Sequence, residues 1–384
     1  MANYSNSKLG TFLQCRYKYR IQYIDKVKTD LESIEAFMGK LVHQTMEKLY
    51  KDLQFQKINS KKELLGYFDK IWDENWHDKV FIVKDDYSAE NYKNMGRKFI
   101  KDYYEHYKPF DSLRTIAIET VDFLPLDNGN QYHVRIDRLS CDKDGHYYIC
   151  DYKTNNQLKA QEELDEDRQL AMYSLWVKQK YPDAKSVKLV WYFLAFDKEM
   201  ISERSDEQLE KLKINTEDLI KEIEKCAEFP TNISSLCDYC PYKPQCPAWK
   251  HEFELKQKTP EQFKDDDGVR LVDEYSKLDE QEKEANEKKE KIREQIINFA
   301  QQKGVEIVWG TEKKASVKPF YKIEFPKTDE FIELLKSKGV YDEIITINNQ
   351  KLRSKVFKNQ VGNEIMEYIK TEKGWVVRVS KRMD

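Results

Sequence analysis

The first part of the chain carries apolar and aromatic residues at helical spacing. Phe37, Leu41 and Leu49 lie four or eight residues apart, which places them along one face of a helix. Comparable spacing continues through most of the segment from Asn6 to Tyr107. We therefore predict that this segment is an α-helical lead-in.

The pattern changes to alternation from Thr115 onward. Apolar and polar residues then alternate in short stretches, as in half-buried strands. The stretches predict three strands, at Thr115–Leu124, Gln131–Leu139 and His146–Lys153.

Helices and strands alternate after the third predicted strand. A helix is predicted with Leu164, Leu170, Tyr173 and Val177 on its apolar side, and a strand follows at Val187–Phe196. A further helix is predicted near Glu207–Cys226. This order of elements predicts a mixed α/β fold.

The residues from 251 onward differ in composition from those before them. Apolar positions between Leu271 and Phe299 alternate steps of four and three, which predicts one long helix with a partly polar seam. The polar interruptions favour one arm of an intramolecular helical hairpin over a dimeric coiled coil. We predict a first domain at residues 1–250, a long charged helix or helical arm at 251–304, and a small α+β domain at 305–384.

Length and composition limit the function classes. The 384 residues, 40% of them hydrophobic, suffice for two or three domains. Charged residues nearly cancel to a net charge of -3, so any nucleic-acid surface has to be local. There is neither a signal pattern nor an apolar run near the roughly 20 residues that span a bilayer, so we expect a cytoplasmic protein without membrane contact.

Two predicted strands carry the candidate chemistry. Asp137 ends the pattern Val134-Arg-Ile-Asp, and Asp151 and Lys153 lie in the next strand. Asp144 is midway between the two aspartates, so a symmetric hairpin with Gly145 in the left-handed turn position sets them opposite each other. Their Cβ atoms are then about 5 Å apart. Because two carboxylates at that distance repel, the pair predicts a divalent cation between them.

Alternation along the second strand sorts the neighbouring side chains. Residues two apart share a face, so Lys153 joins Asp151 in the cleft, while Cys150 and Tyr152 turn away. Carboxylate oxygens suit Mg²⁺ or Mn²⁺, which lowers the pKa of bound water. Lys153 can orient that water or stabilise charge on a phosphate. The set suits phosphodiester hydrolysis, although an isolated Asp-x-Lys pair is usually a solvated surface feature.

Ordered motifs make the chain resemble the RecB-like PD-(D/E)XK nucleases, a family that includes CRISPR-associated exonucleases and AddB-type nuclease domains. Gly39-Lys-Leu-Val-His43-Gln-Thr-Met-Glu47 is similar to the first motif, and Asp137 to the second. Asp151-Tyr-Lys153 resembles the third, and Gln169-Leu-Ala-Met-Tyr173 the fourth. The resemblance covers roughly residues 1–250.

The resemblance implies a restriction-endonuclease-like core, in which a mixed sheet is flanked by helices. It also implies roles for seven residues. Metal is held by His43, Asp137, Asp151 and the carbonyl of Tyr152. Lys153 is catalytic, and Gln169 and Tyr173 support the site or the DNA.

The residues alone say less about the first and fourth motifs. His43 and Glu47 share a helix face, so Glu47 could accept the imidazole N–H or face water. A lone helical histidine is usually structural. Gln169 and Tyr173 also share a face, and by spacing alone they predict the rim of a helix packed on the sheet.

The chain departs from the family pattern at two positions. Val134 stands where a glycine often precedes the second-motif aspartate, and Arg16 follows Cys15 where proline is common. Neither change removes a reacting group. No phosphate-binding loop of the Gly-x-x-x-x-Gly-Lys-Ser/Thr type occurs, so a helicase motor would be a separate partner protein.

Three of the seven cysteines crowd into one segment, Cys237-x₂-Cys240-x₅-Cys246, with interleaved prolines that stiffen the loop. A metal group fits this pattern better than a disulfide framework. By spacing alone, zinc and an iron-sulfur cluster are equally good candidates. The family resemblance supplies Cys15 as a distant fourth ligand and favours a 4Fe-4S cluster over structural zinc. We expect Cys141, Cys150 and Cys226 to be core residues.

The leading hypothesis is a Mg²⁺- or Mn²⁺-dependent DNA nuclease. The resemblance favours an exonuclease on DNA ends or single strands and associates the chain with DNA repair and CRISPR systems, although the sequence does not identify the pathway. The rival is a non-catalytic nucleic-acid-binding or scaffold protein on the same fold, against which the intact Asp137, Asp151 and Lys153 argue. RNA remains an alternative substrate, and the oligomeric state is left open.

Overall fold

The computed structural model describes residues 2–319, 328–338, 341 and 349–357. The chain forms two compact units, Met1–Gln257 and Lys258–Asp384. In the described part of the chain, no helix has both the length and the apolar character needed to cross a bilayer.

The first unit is built on a six-stranded mixed sheet. Its strands, together with a separate two-stranded pair, are β1 (Asn3–Ser5), β2 (Glu32–Ser33), β3 (Val80–Phe81), β4 (Arg114–Pro125), β5 (Gln131–Cys141), β6 (His146–Lys153), β7 (Ser186–Phe193) and β8 (Lys198–Ser202). The large sheet has the order β1-β5-β6-β7-β8, with β4 paired to β5, and β2 pairs with β3. β5 and β6 are antiparallel neighbours, whereas β6 and β7 run parallel.

Helices cover both faces of this sheet. They are α1 (Asn6–Gln14), α2 (Arg16–Tyr19), α3 (Ile34–Gln54), α4 (Lys61–Asn75), α5 (Ala89–Tyr107), α6 (Gln161–Asp165), α7 (Arg168–Lys180), α8 (Asp206–Lys225) and α9 (Lys250–Leu255). A short π-helical stretch, Arg20–Ile24, follows α2. Capping boxes begin α4 at Ser60, α5 at Ser88 and α8 at Ser205, where side chains satisfy the first free N–H groups.

Two hydrophobic cores lie on opposite faces of the sheet. One joins it to α1, α7 and α8 and contains Phe12 and Trp191. The other joins it to α3, α4 and α5 and contains Phe37 and Phe68. Successive side chains of β6 point into opposite cores: Ile149 belongs to the first core and Cys150 to the second. The predicted mixed sheet flanked by helices is therefore confirmed.

Two predicted elements have different bounds in the structure. The helix predicted through Leu164 and Val177 is two helices, because the Asp167 side chain accepts a hydrogen bond from Leu170 N at 3.3 Å and begins α7 there. The strand predicted to Phe196 ends at Phe193 and continues as a 3₁₀ turn. The edge strand β8 follows this turn and was not predicted.

The second unit contains the predicted long helix. Its helices and strands are α10 (Pro260–Lys264), α11 (Asp267–Lys303), β9 (Ile307–Trp309), β10 (Lys314–Ser316), α12 (Asp329–Ser337) and a helix at Asn349–Phe357. Gly304 ends α11 in the left-handed conformation, with φ of 65°. The choice between a helical hairpin and a coiled coil stays a prediction, as does the three-part division of the chain. Much of the predicted 305–384 domain, including Phe320 and Trp375, lies outside the described residues.

Close packing between α4 and α5 depends on Gly96. A Cβ at this position would lie 2.5 Å from the ring of Phe68, which is fully buried and cannot move aside. We expect Gly96→Ala to lower the free energy of unfolding by about 1–3 kcal/mol, because the core becomes overpacked. Gly66→Ala is the matched control, since nothing lies within 4 Å of its Cβ position on α4. It should raise stability by about 0.8 kcal/mol through helix propensity. Urea denaturation of both variants measures this, and equal shifts would contradict the packing argument.

Candidate active site

A cleft of about 1730 Å³ lies where β5 and β6 meet α3 and α7. It brings together all seven residues that the sequence and the family resemblance place at the catalytic and metal positions. They are His43, Asp137, Asp151, Tyr152, Lys153, Gln169 and Tyr173.

The hairpin register brings the two aspartates together. Arg138 pairs with Cys150, and the same register continued by one residue sets Asp137 opposite Asp151. Gly145 has a φ of 88°, which is the left-handed conformation that the symmetric hairpin requires. The side chains of Asp137 and Asp151 are only 13% and 8% exposed, so their repulsion is poorly screened by water.

His43 on α3 faces Asp137. Its Nδ1 lies 3.2 Å from Asp137 Oδ2, and the same oxygen accepts a hydrogen bond from Tyr152 N at 3.0 Å. Burial alone would lower the pKa of His43, but the Asp137 carboxylate outweighs it and raises that pKa to about 9. Burial likewise opposes ionisation of Asp137, yet His43 and the Tyr152 N–H hold its pKa below the ordinary value. The Glu47 carboxylate pairs with Lys51 at 2.5 Å rather than with the imidazole.

Lys153, Asp151 and Gln169 form a second group of contacts in the same cleft. Lys153 Nζ lies 2.7 Å from Asp151 Oδ2 and donates to Gln169 Oε1 at 3.3 Å. Gln169 Nε2 donates in turn to Asp151 Oδ1 at 3.3 Å. Burial raises the pKa of Asp151, with a further rise from the Asp137 charge. The pKa of Lys153 is raised as well, because Asp151 outweighs the effect of burial.

The remaining two predicted residues have different surroundings. The ring of Tyr152 turns away from the cleft, as alternation predicts, and stacks on Tyr192 with centroids 5.4 Å apart. Its backbone stays at the cleft, between Asp151 and Lys153. Tyr173 lies one helical turn after Gln169 on α7, is buried, and contacts Gln169 through a side-chain hydrogen bond.

The structure adds Glu119 to this site. One oxygen of Glu119, one of Asp137 and one imidazole nitrogen of His43 all lie within 4.8 Å of one another. Glu119 has a φ of 47°, a left-handed conformation that is costly for a residue with a side chain and that recurs at functional sites. Arg135 holds its Oε2 through two hydrogen bonds, at 3.0 and 3.2 Å. Carboxylate and imidazole ligands at this separation fit a divalent cation.

A sequence signal for Glu119 exists. Glu119 and Asp137 are equally distant from Asn128, at the turn between β4 and β5. The observed pairs Ile118–Arg138 and Thr120–Ile136 bracket the two acidic residues. The same hairpin symmetry that places Asp137 opposite Asp151 therefore places Glu119 of β4 opposite Asp137.

Four cysteines line a separate, small cavity. They are Cys15, Cys237, Cys240 and Cys246. Backbone N–H groups donate to the sulfurs of Cys15 (from Lys18, 3.5 Å) and Cys237 (from Ser234, 3.4 Å). Burial raises the pKa of the Cys240 thiol, and the nearby Cys15 and Cys237 raise it further.

The other three cysteines do not line this cavity. Cys141 and Cys150 are core residues as expected, and Cys150 lies on the sheet face opposite Asp151. Cys226 differs from the expectation, since it is only partly buried at the end of α8.

Comparisons with known proteins bear on the same region. Among solved structures, a candidate exonuclease from Eubacterium rectale aligns at 13% identity over 64% of this chain and 86% of its own, with a TM-score of 0.39. The protein SSO0001 aligns at 17% identity over 63% of this chain and 95% of its own, with a TM-score of 0.25. No curated protein matches.

These structural likenesses are too weak to carry an argument, and the family assignment comes from the sequence model. The model of the PD-(D/E)XK nuclease superfamily matches residues 3–247, a span that contains the cleft and all four cysteines of the cavity. The chain belongs to the PD-(D/E)XK nuclease superfamily.

Proposed function

We propose that this protein is a Mg²⁺- or Mn²⁺-dependent nuclease that hydrolyses the phosphodiester bonds of DNA, acting as an exonuclease on ends or single strands. One observation carries the proposal. Two poorly exposed carboxylates, Asp137 and Asp151, face each other in an open cleft beside Lys153. A buried like-charge pair has no structural benefit, whereas it is the ligand arrangement that a divalent ion requires.

The donor set fits such an ion. His43, Asp137, Asp151 and the Tyr152 carbonyl would hold it, with Glu119 as a further ligand. When bound, the metal lowers the pKa of its water and offsets negative charge on the phosphate. The proton that now joins His43 to Asp137 has to leave, since a histidine ligand is neutral.

Side chains of the cleft position the reactants. Lys153 presents its ammonium beside Asp151, where it can orient the attacking water or stabilise charge on the phosphate. Gln169 contacts both Lys153 and Asp151 and so limits their rotamers. The exposed side chains of Lys40 and Arg135 line the same cleft and can contact phosphates on either side of the scissile bond.

The first prediction concerns the reacting groups. We expect Asp151→Asn and Lys153→Met each to lower the rate of cleavage by at least about a hundredfold, because each removes charge at the reacting phosphate. Asp144→Asn is the control, since this aspartate is exposed in the turn of the same hairpin. End-labelled single- and double-stranded DNA, with and without Mn²⁺, reports activity and polarity together. Wild-type rates in either site variant would reject the active site, and binding without cleavage by the wild type would favour a scaffold role.

The second prediction concerns Glu119. If it is a metal ligand, Glu119→Gln should raise the Mn²⁺ concentration needed for half-maximal cleavage by about tenfold, with a smaller change at saturating metal. Asp122→Asn provides the control on the same strand, because Asp122 pairs with Lys180 away from the cleft. A metal titration of cleavage measures both, and an unchanged midpoint for Glu119→Gln would remove Glu119 from the ligand set.

We also propose that Cys15, Cys237, Cys240 and Cys246 hold a 4Fe-4S cluster. Four cysteines from two distant segments line one cavity, and N–H groups donate to two of their sulfurs, which suits bound thiolates. The family resemblance favours the cluster over zinc. The role is structural, because the cluster would join α2 to a loop more than 200 residues later. Hydrogen bonds already link these segments, from Asn232 Nδ2 to Gln14 O at 2.8 Å and from Tyr17 N to Pro230 O at 3.1 Å.

The third prediction tests this cluster. Anaerobically purified protein should be brown and contain iron and sulfide, and Cys240→Ser should bleach it and lower the melting temperature, because a link between distant segments is lost. Cys226→Ser, which replaces a cysteine outside the cavity, should keep the colour. Metal analysis and visible absorption spectra measure the iron content and the colour of each variant. Colourless protein with stoichiometric zinc would contradict the proposal.

A further inference from the structure

Another cavity borders the active-site cleft. The two share Thr154 and Asn155 as lining residues, and these directly follow Lys153 in the chain. The cavity therefore lies next to the place where the scissile phosphate would lie, within reach of a neighbouring nucleotide of the bound strand.

Aromatic side chains form much of the wall of this cavity. Tyr87, Tyr92 and Phe99 line it together with Tyr239, which belongs to the cysteine loop. Tyr87 is 43% exposed, its ring centroid lies 5.8 Å from that of Tyr92, and Lys84 Nζ is 5.4 Å from the Tyr87 ring. Tyr92 and Phe99 are buried behind it, so Tyr87 presents the exposed ring face. An exposed aromatic ring beside a cation is typical of surfaces that stack a nucleobase and hold the neighbouring phosphate.

A carboxylate in the same cavity has one oxygen without a donor. Glu35 Oε1 accepts a hydrogen bond from Tyr92 Oη at 2.7 Å. Glu35 Oε2 is buried and accepts no hydrogen bond from the residues that the structure describes. Leaving a buried acceptor without a donor is costly, so this oxygen calls for a ligand that donates.

Helix α3 sets the axial separation of Glu35 from His43. Glu35 precedes His43 by eight residues on α3, which corresponds to a rise of about 12 Å. This distance suits a base one or two nucleotides from the scissile phosphate. Gly39, between them, permits the close approach of α3 to the shared lining, since a Cβ there would lie 2.9 Å from Thr154 Oγ1.

We propose that this cavity is a base pocket, in which the aromatic wall stacks a nucleobase of the substrate strand and Glu35 selects bases that carry an exocyclic amino group. The inference rests on the proposed nuclease function and adds a substrate preference to it. Only an unpaired base can enter such a pocket, so the substrate near the cleavage point is single-stranded.

A comparison of cytosine with thymine distinguishes the effect of the hydrogen bond to Glu35 from the effect of base size. Cytosine presents its 4-amino group, which can donate to Glu35 Oε2. Thymine presents a carbonyl oxygen at the same position, and two acceptors facing each other repel. Because both are pyrimidines, a preference for cytosine reports mainly the contact with Glu35.

Equilibrium binding tests the pocket independently of catalysis. Fluorescence anisotropy of labelled oligo-dC and oligo-dT is measured with the full chain in Ca²⁺, which accepts the same oxygen ligands as Mg²⁺. We expect the wild type to bind oligo-dC about tenfold more tightly, and Glu35→Gln to lose most of that preference. Glu210→Gln, which removes an exposed carboxylate on α8, should retain it.

A second pair of variants tests stacking. Tyr87→Ala should weaken binding of both oligonucleotides by about tenfold, whereas Tyr87→Phe keeps the ring and should bind as the wild type does. Circular dichroism confirms that the variants are folded. Equal affinity of the wild type for the two oligonucleotides, or the same preference in folded Glu35→Gln, would overturn the base pocket.

Cleavage measured in parallel separates the two proposals. A cytosine preference that Glu35→Gln removes, in a protein that cleaves no DNA with Mn²⁺, supports the pocket and rejects the nuclease function. Metal-dependent cleavage without any base preference supports the nuclease function and rejects the pocket. If neither oligonucleotide binds, the pocket is rejected.

Discussion

The repulsion between Asp137 and Asp151 is the constraint on which the rest of this structure depends. The hairpin of β5 and β6 forces the two carboxylates together where little water reaches them. Two cationic side chains offset this repulsion: His43 from α3 lies beside Asp137, and Lys153 from β6 itself lies beside Asp151. A divalent ion bound between the carboxylates would take over this compensation, and that exchange is what makes the arrangement chemically useful.

Both cores of the first unit hold these compensating groups in place. The core beneath α3, α4 and α5 fixes the helix that carries His43 and, eight residues earlier, Glu35. The core on the other face fixes α7, from which Gln169 contacts Lys153 and Asp151. The sheet lies between them, so a change in either core can move one half of the site relative to the other. Precise geometry at the metal therefore depends on packing far from it.

The cysteine loop connects two of the proposed sites. Cys237 and Cys240 line the cysteine cavity, and Tyr239 between them lines the base pocket. A cluster bound by these cysteines would thus hold one aromatic wall of the pocket as well as joining α2 to the loop. Tyr242 Oη, which donates to Val27 O at 3.2 Å, ties the same loop to the segment before α3. Loss of such a cluster would accordingly affect the Tyr239 side of the proposed base pocket as well as the loop itself.

The sequence by itself determined most of the larger elements and the features that follow from their local periodicity. Symmetry about Asp144 placed Asp137 opposite Asp151, and alternation separated Lys153 from Tyr152, because both depend only on positions along paired strands. Tertiary structure alone decided that Glu35 meets an aromatic cavity and that Gln169 contacts both Lys153 and Asp151. These features depend on distances between segments that are not neighbours in the chain. Such distances are set by the packing of helices on the sheet, which local patterns do not encode.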